Sequence, residues 1–178
     1  MKLIPYLLIL VLLASCKSPD ARRPESVKSG SFIQESAARN KKLNEKEQKL
    51  IETIIKNNAS NDYIASNSGF WYHYNTKVAA DTITADFGDH INFDYNLKDL
   101  KGTTIYTSEE LGNRDYIMDK EELFTGLREG LKLMKPGETV TFLFPSQKAF
   151  GYYGNKDRIG ANVPIMSEVT LNTIVKKD

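Results

Sequence analysis

The sequence predicts an α+β fold in which a mostly antiparallel, twisted sheet wraps on one short helix in the carboxy-terminal part of the chain. Three observations carry this. After Ser66-Asn67-Ser68-Gly69 the chain becomes a series of short runs rich in aromatic and β-branched residues. From His90 to Leu97, Ile91, Phe93 and Tyr95 alternate with polar neighbours, the period of a half-buried strand. Leu123, Phe124, Leu127, Leu131 and Met134 instead repeat at helical spacing, and Lys135-Pro136-Gly137 ends that stripe. One helix covering an antiparallel sheet buries a single core.

Taken in chain order, the 178 residues begin with Met1-Lys2 and an almost wholly apolar run, Leu3 to Leu13, interrupted by Pro5 and Tyr6. That run is too short for a bilayer core of roughly 30 Å, which needs about twenty apolar residues. It suits a secretory signal peptide over residues 1–15. Leu13-Ala14-Ser15-Cys16 follows, and small residues ahead of a cysteine at this place resemble the lipobox of bacterial lipoproteins. The resemblance implies lipidation at Cys16 and a membrane anchor; the alternative is an ordinary signal peptide with a cysteine nearby by chance. Cys16 is the only cysteine of the chain, which favours the first reading and leaves no intramolecular disulfide or cysteine-based zinc site. The expected address is the cell envelope. Lys17-Ser18 lacks an acidic run that would mark surface export, so the expected side is the periplasm.

From Lys17 to about Ala38 the chain is rich in Ser, Pro, Arg and Glu without apolar periodicity, and residues 16–42 read as a flexible tether. A helix is predicted from Asn44, where Asn44 and Glu47 stand at capping-box spacing, with Asn57-Asn58 as a stop signal. Leu43, Leu50, Ile51, Ile54 and Ile55 share one of its faces. Two readings of this stripe stand side by side: it packs on the domain that follows, or it makes a homodimer. Residues 43–66 are therefore read as helix and linker, and 67–178 as the folded domain. Within that domain Phe70–Tyr74, His90–Leu97, Thr103–Thr107, Asp115–Met118, Thr139–Phe144 and Val169–Val175 are the predicted strands.

Composition excludes several functions. The formal charge is +1, from 24 basic and 23 acidic residues. Only Lys2 of these lies in residues 1–15, so the mature chain is neutral and nucleic acid is not an expected partner. His73 and His90 are not at metal-binding spacing, and no metal or cofactor is expected. Glu109-Glu110 and Glu121-Glu122 are adjacent carboxylates that diverge on any regular element, so they read as solvated charge. Asp119 and Glu122 stand at capping-box spacing ahead of the helical stripe. No phosphate-binding glycine loop or nucleophile elbow occurs.

An ordered series of pieces then carries a family resemblance. Gly88-Asp89, Tyr95, Gly102, Gly126, Gly130 and Met134-Lys135-Pro136-Gly137-Glu138 recur in the order and spacing of the FKBP family. Phe144-Pro145 with Ala149-Phe150-Gly151 is similar to that family's strand and Ala-Tyr-Gly loop. Val163-Pro164 with Val169 and Leu171 is similar to its closing segment and last strand. With the lipobox and the amino-terminal helix, the chain most resembles FKBP-type lipoproteins associated with gliding motility in Bacteroidetes. The resemblance implies a peptidyl-prolyl cis-trans isomerase whose clients are Xaa-Pro-containing polypeptides.

It also implies a pocket. Tyr95, Phe124 and Phe150 would be its catalytic residues, with Ile105, Tyr106, Leu127, Val163 and Leu171 around it and Glu122 and Leu123 on its rim. The Phe124 backbone N–H would hold the substrate carbonyl, and the Tyr95 hydroxyl would help to orient the pocket. Three departures point towards weakened activity. Ile105-Tyr106 stands where the family commonly has Phe-Asp, Leu127 where it often has a tryptophan floor, and Phe150 where it has tyrosine. A binding or chaperone module that kept the fold is the second reading.

Overall fold

The computed structural model describes residues 29–79 and 83–178. The signal sequence, Cys16 and the first part of the tether lie outside the described residues. The chain divides into two compact units, Met1–Ala37 and Ala38–Asp178.

Helix α1 (Ser29–Asn57) begins well before Asn44. The described residues of the first unit are therefore helical rather than tether, with Phe32 and Ile33 exposed. Extending a helix is far easier than starting one. Glu35, Ala37, Ala38, Arg39, Lys41 and Lys42 are good helix formers, so α1 needs no apolar stripe there. In the second unit, Ile51 is fully buried with Leu100 and Leu143, and Ile54, Ile55, Tyr63, Trp71 and Met166 pack around them. Leu50, read into the same stripe, is exposed. Ile51, Ile54 and Ile55 thus pack on the domain that follows.

The strands are β1 (Ile64–Ala65), β2 (Trp71–Thr76), β3 (His90–Tyr95), β4 (Leu97–Asp99), β5 (Thr104–Tyr106), β6 (Arg114–Ile117), β7 (Thr139–Phe144) and β8 (Ile165–Val175). They form one antiparallel sheet with the order β1-β2-β7-β8-β3-β6, and β4 bridges β8 and β5. The predicted run His90–Leu97 is split at Asn96, whose Oδ1 accepts the Glu168 N–H and whose carbonyl accepts the Ser167 hydroxyl. A four-residue helix α2 (Ser108–Leu111) was not expected. Thr107 and Glu110 close a reciprocal capping box on it, and Glu110 also pairs with Arg158 at 2.8 Å, so Glu110 is more than solvated charge.

Helix α3 (Thr125–Leu131) covers the sheet. Its cap is Phe124, without a side-chain bond; Asp119 instead takes a left-handed φ of 59° and pairs with Lys132, so the Asp119–Glu122 capping box is not formed. α3 approaches β7 through two glycines one turn apart. A Cβ on Gly130 would lie 2.8 Å from the Phe142 ring, and one on Gly126 would lie 2.5 Å from Phe144 Cδ1 and 2.8 Å from the Lys148 carbonyl. Phe142 and Phe144 stack at 5.3 Å, and Phe70 packs edge-on against both. Among the described residues no helix is long and apolar enough to cross a membrane.

Asp89 ties the chain end to the sheet. Buried at 3% exposure, it accepts from Lys176 Nζ at 2.7 Å, the Lys177 N–H at 2.9 Å and the Asp86 N–H at 2.7 Å. The Lys176 bond first, with the two backbone donors, holds its carboxyl at about 2, down from 3.8. A pKa depressed in the folded state stabilises above the unfolded value, and that contribution disappears as pH falls from about 4 through about 2. Asp89→Asn is expected to lower stability at pH 7 by about 1–3 kcal/mol and to flatten this acid limb in urea titrations run at several pH values.

Gly126→Ala tests the approach of α3. Overpacking costs about 1–3 kcal/mol, against a gain of about 1 kcal/mol in helix propensity. A net loss of up to about 2 kcal/mol is expected from the urea midpoint, because the Cβ would press on the Lys148 backbone carbonyl as well as on a ring.

Candidate functional site

The entry to α3, the ends of β3 and β6, and the loop after β7 enclose an open cleft of about 550 Å³. Five residues singled out in the sequence line it together: Tyr95, Glu122, Leu123, Phe124 and Phe150. Phe124 is placed by its extended conformation (φ −64°, ψ 145°) immediately before α3. Its ring meets Phe144 edge-on at 5.3 Å and Phe150 at 5.0 Å. Phe150 follows a 3-10 turn, Ser146–Lys148, and precedes Gly151 at φ 59°, a left-handed conformation that glycine adopts without steric cost. These contacts make an aromatic wall continuous with the core.

Polar groups face that wall. Among the described residues, the Phe124 N–H makes no hydrogen bond to the protein. Burial pushes the Tyr95 phenol up, and the Arg114 guanidinium draws it partly back. The hydroxyl thus keeps its proton at neutral pH and remains a donor. Arg114, Glu121 and Arg128 also line the cleft and were not foreseen. Arg128 lies one helical turn beyond Phe124, a spacing visible in the sequence. Arg114 carries no such signal, because a charged residue on a strand usually faces water. Among the described residues, Arg128 Nε is buried without a hydrogen-bond partner, 4.0 Å from Asp119.

Five other expected pocket residues do not line this cleft. Leu127 and Leu171 are fully buried, because Leu127 points from α3 onto the sheet and Leu171 points inward from β8. Ile105, Tyr106 and Val163 are half-buried against the same core. The Tyr106 hydroxyl lies 2.6 Å from Asp157 Oδ2 and 2.7 Å from Asn155 Nδ2, and Arg158 stacks over its ring at 4.6 Å. The arrangement offers a hydrophobic grip and hydrogen-bond donors. Among the described residues no group of three or more histidines, cysteines or carboxylates could hold a metal ion.

Residues 81–172 match the sequence pattern of the FKBP-type peptidyl-prolyl cis-trans isomerases. The chain belongs to this family. It is 27% identical over 121 residues to the probable FKBP-type peptidyl-prolyl cis-trans isomerase FkpA of Neisseria meningitidis serogroup B. That alignment covers 67% of the chain and 43% of the relative, so the chain matches less than half of that protein's length. In fold it is similar to a peptidyl-prolyl cis-trans isomerase from Pseudomonas syringae pv. tomato (TM-score 0.59, 17% identity, 74% of this chain and 96% of that one). It is also similar to FkpA from Escherichia coli (TM-score 0.60, 21% identity, 98% of this chain and 83% of that one). The FKBP match begins after α1, β1 and β2, so the helix that packs on the sheet lies outside it.

For an FKBP domain whose Leu127 is core rather than cleft wall, Leu127→Ala should act first on stability. The expected loss is about 2–5 kcal/mol, read from the thermal or denaturant midpoint.

Proposed function

We propose that this chain is a peptidyl-prolyl cis-trans isomerase that binds the proline of extended Xaa-Pro segments against Phe124 and Phe150. The observation that carries the reading is the pairing of that aromatic wall with an unengaged backbone donor at Phe124. Rotation about a peptide bond meets a barrier of roughly 18–20 kcal/mol, set by amide resonance. Uncatalysed Xaa-Pro exchange takes tens to hundreds of seconds. Such a reaction needs no nucleophile, metal or cofactor. A cleft lowers its barrier by gripping the ring, excluding water from the amide and favouring the twisted, less delocalised state over both planar ones. The Phe124 N–H would hold the substrate carbonyl and the Tyr95 hydroxyl would orient the pocket, with Leu123 and Glu122 at its rim.

The clients are extracytoplasmic polypeptides, gliding-motility proteins among them, and the isomerase acts at a membrane to which Cys16 anchors it, on the periplasmic side. This part of the proposal is supported by the apolar leader, the lipobox-like Leu13-Ala14-Ser15-Cys16 and the lipoprotein resemblance. The second reading, a chaperone or interaction module in an envelope motility or secretion apparatus, draws on Tyr106. Its hydroxyl is engaged by Asp157 and Asn155 at the place where the family commonly has an acid.

The chain from Lys17 onward, without lipid, should accelerate cis-to-trans exchange in Xaa-Pro peptides. It keeps α1, whose Ile51 is buried against the sheet. Phe150→Asp should abolish that acceleration while circular dichroism stays unchanged, since Phe150 is only half-buried. An unchanged rate in the folded variant would refute the cleft, and no acceleration by the parent chain with any residue before proline would leave the binding module.

A further inference from the structure

Helix α1 lies outside the matched family segment, yet it reaches the turn that carries Phe150. Glu47, only 4% exposed, accepts the Ser146 N–H on Oε2 at 2.8 Å and the Ser146 hydroxyl on Oε1 at 2.7 Å. Asn44 Nδ2 reaches Gln147 Oε1 at 3.4 Å, one residue further along the same turn. Carboxylates are rarely this buried unless a partner compensates the lost hydration. Among the described residues no cation pairs with Glu47, and both donors bonded to its carboxylate come from one serine. Two hydrogen bonds from one serine to one carboxyl group fix that serine closely.

The same turn is also held by α3. Gly126 of α3 sits against the Lys148 carbonyl, and Lys148 Nζ pairs with Glu129 at 3.2 Å. The Ala149 N–H closes onto the Pro145 and Ser146 carbonyls, and the next residue is Phe150. The chain from Ser146 to Phe150 therefore has little freedom once Ser146 is pinned. Phe150 meets Phe124 at 5.0 Å, so a shift of the turn would move half of the aromatic wall.

We propose that Glu47 is a positioning residue for the cleft: through Ser146 it sets the path of the chain into Phe150, which makes α1 a working part of the site. The catalytic half of this inference rests on the isomerase reading above; the structural half does not.

The test uses the chain from Lys17 onward with Glu47→Gln, Ser146→Ala and, as a control on the exposed side of the same helix, Leu50→Ala. Steady-state constants on Xaa-Pro peptides are measured beside the thermal midpoint and the Phe150 backbone amide resonance, assigned by selective ¹⁵N-phenylalanine labelling. Glu47→Gln should lower kcat/KM about tenfold, mostly through kcat, as misplaced active-site groups do. It should also shift or broaden the Phe150 resonance, with Ser146→Ala intermediate and Leu50→Ala unchanged. A lowered midpoint with kcat, KM and the Phe150 resonance all unaltered would overturn the proposal and leave Glu47 a plain anchor of the helix. Should Glu47→Gln not fold, Ser146→Ala, which removes one of the two bonds, decides by the same readouts. If the parent chain shows no isomerase activity, the isomerase reading fails, and the Phe150 resonance alone decides whether Glu47 positions the turn.

Discussion

The close contact of α3 with β7 is the constraint on which the rest of the molecule depends. Two glycines one turn apart remove the side chains that would hold the helix off the sheet, and the Phe142 and Phe144 rings fill the space. Each aromatic pair contributes about 0.5–1.5 kcal/mol beyond the area it buries. The larger effect is geometric. With α3 seated this deeply, the residue ahead of it arrives on top of Phe144, and Phe124 becomes an outward extension of the core. The cleft wall is thus packed from behind, which the proposed isomerase reading requires of it.

Around that wall the cleft is polar and incompletely satisfied. Arg114 influences the Tyr95 phenol. Arg128 has a buried Nε whose nearest carboxylate, on Asp119, is 4.0 Å away and bonded more closely to Lys132. Leaving a buried donor without an acceptor costs about 1–3 kcal/mol. Such a cost inside a core would be unusual; Arg128 instead lies at the edge of an open cleft.

Elements with a clear period were legible. β7 has the bounds that the apolar run Thr139–Phe144 implies, and α3 lies within its predicted stripe. The start of α1 was not, because a solvated helix continued from a packed segment shows no stripe to read. Glu47 is the instructive case. Its spacing from Asn44 is that of a capping box, a local pattern; its actual partner is Ser146, and nothing within one helical turn of Glu47 signals that contact. At Thr107 and Glu110 the reverse holds: a real capping box opens a helix of only four residues, too short to show a period.

The family resemblance named the five residues that line the cleft, Tyr95, Glu122, Leu123, Phe124 and Phe150, while the residue pattern by itself determined the α+β class, the order of the strands along the chain and the covering helix. Alternation, helical spacing and turn chemistry act over a few residues, so they can be read without the fold. Only the tertiary structure decided that Leu127 and Leu171 belong to the core and that Arg114 and Arg128 join the cleft. It also decided that α1 reaches the Phe150 turn. Each of those depends on which elements meet in space, a question settled by packing between segments far apart in the chain, where no local pattern carries the answer.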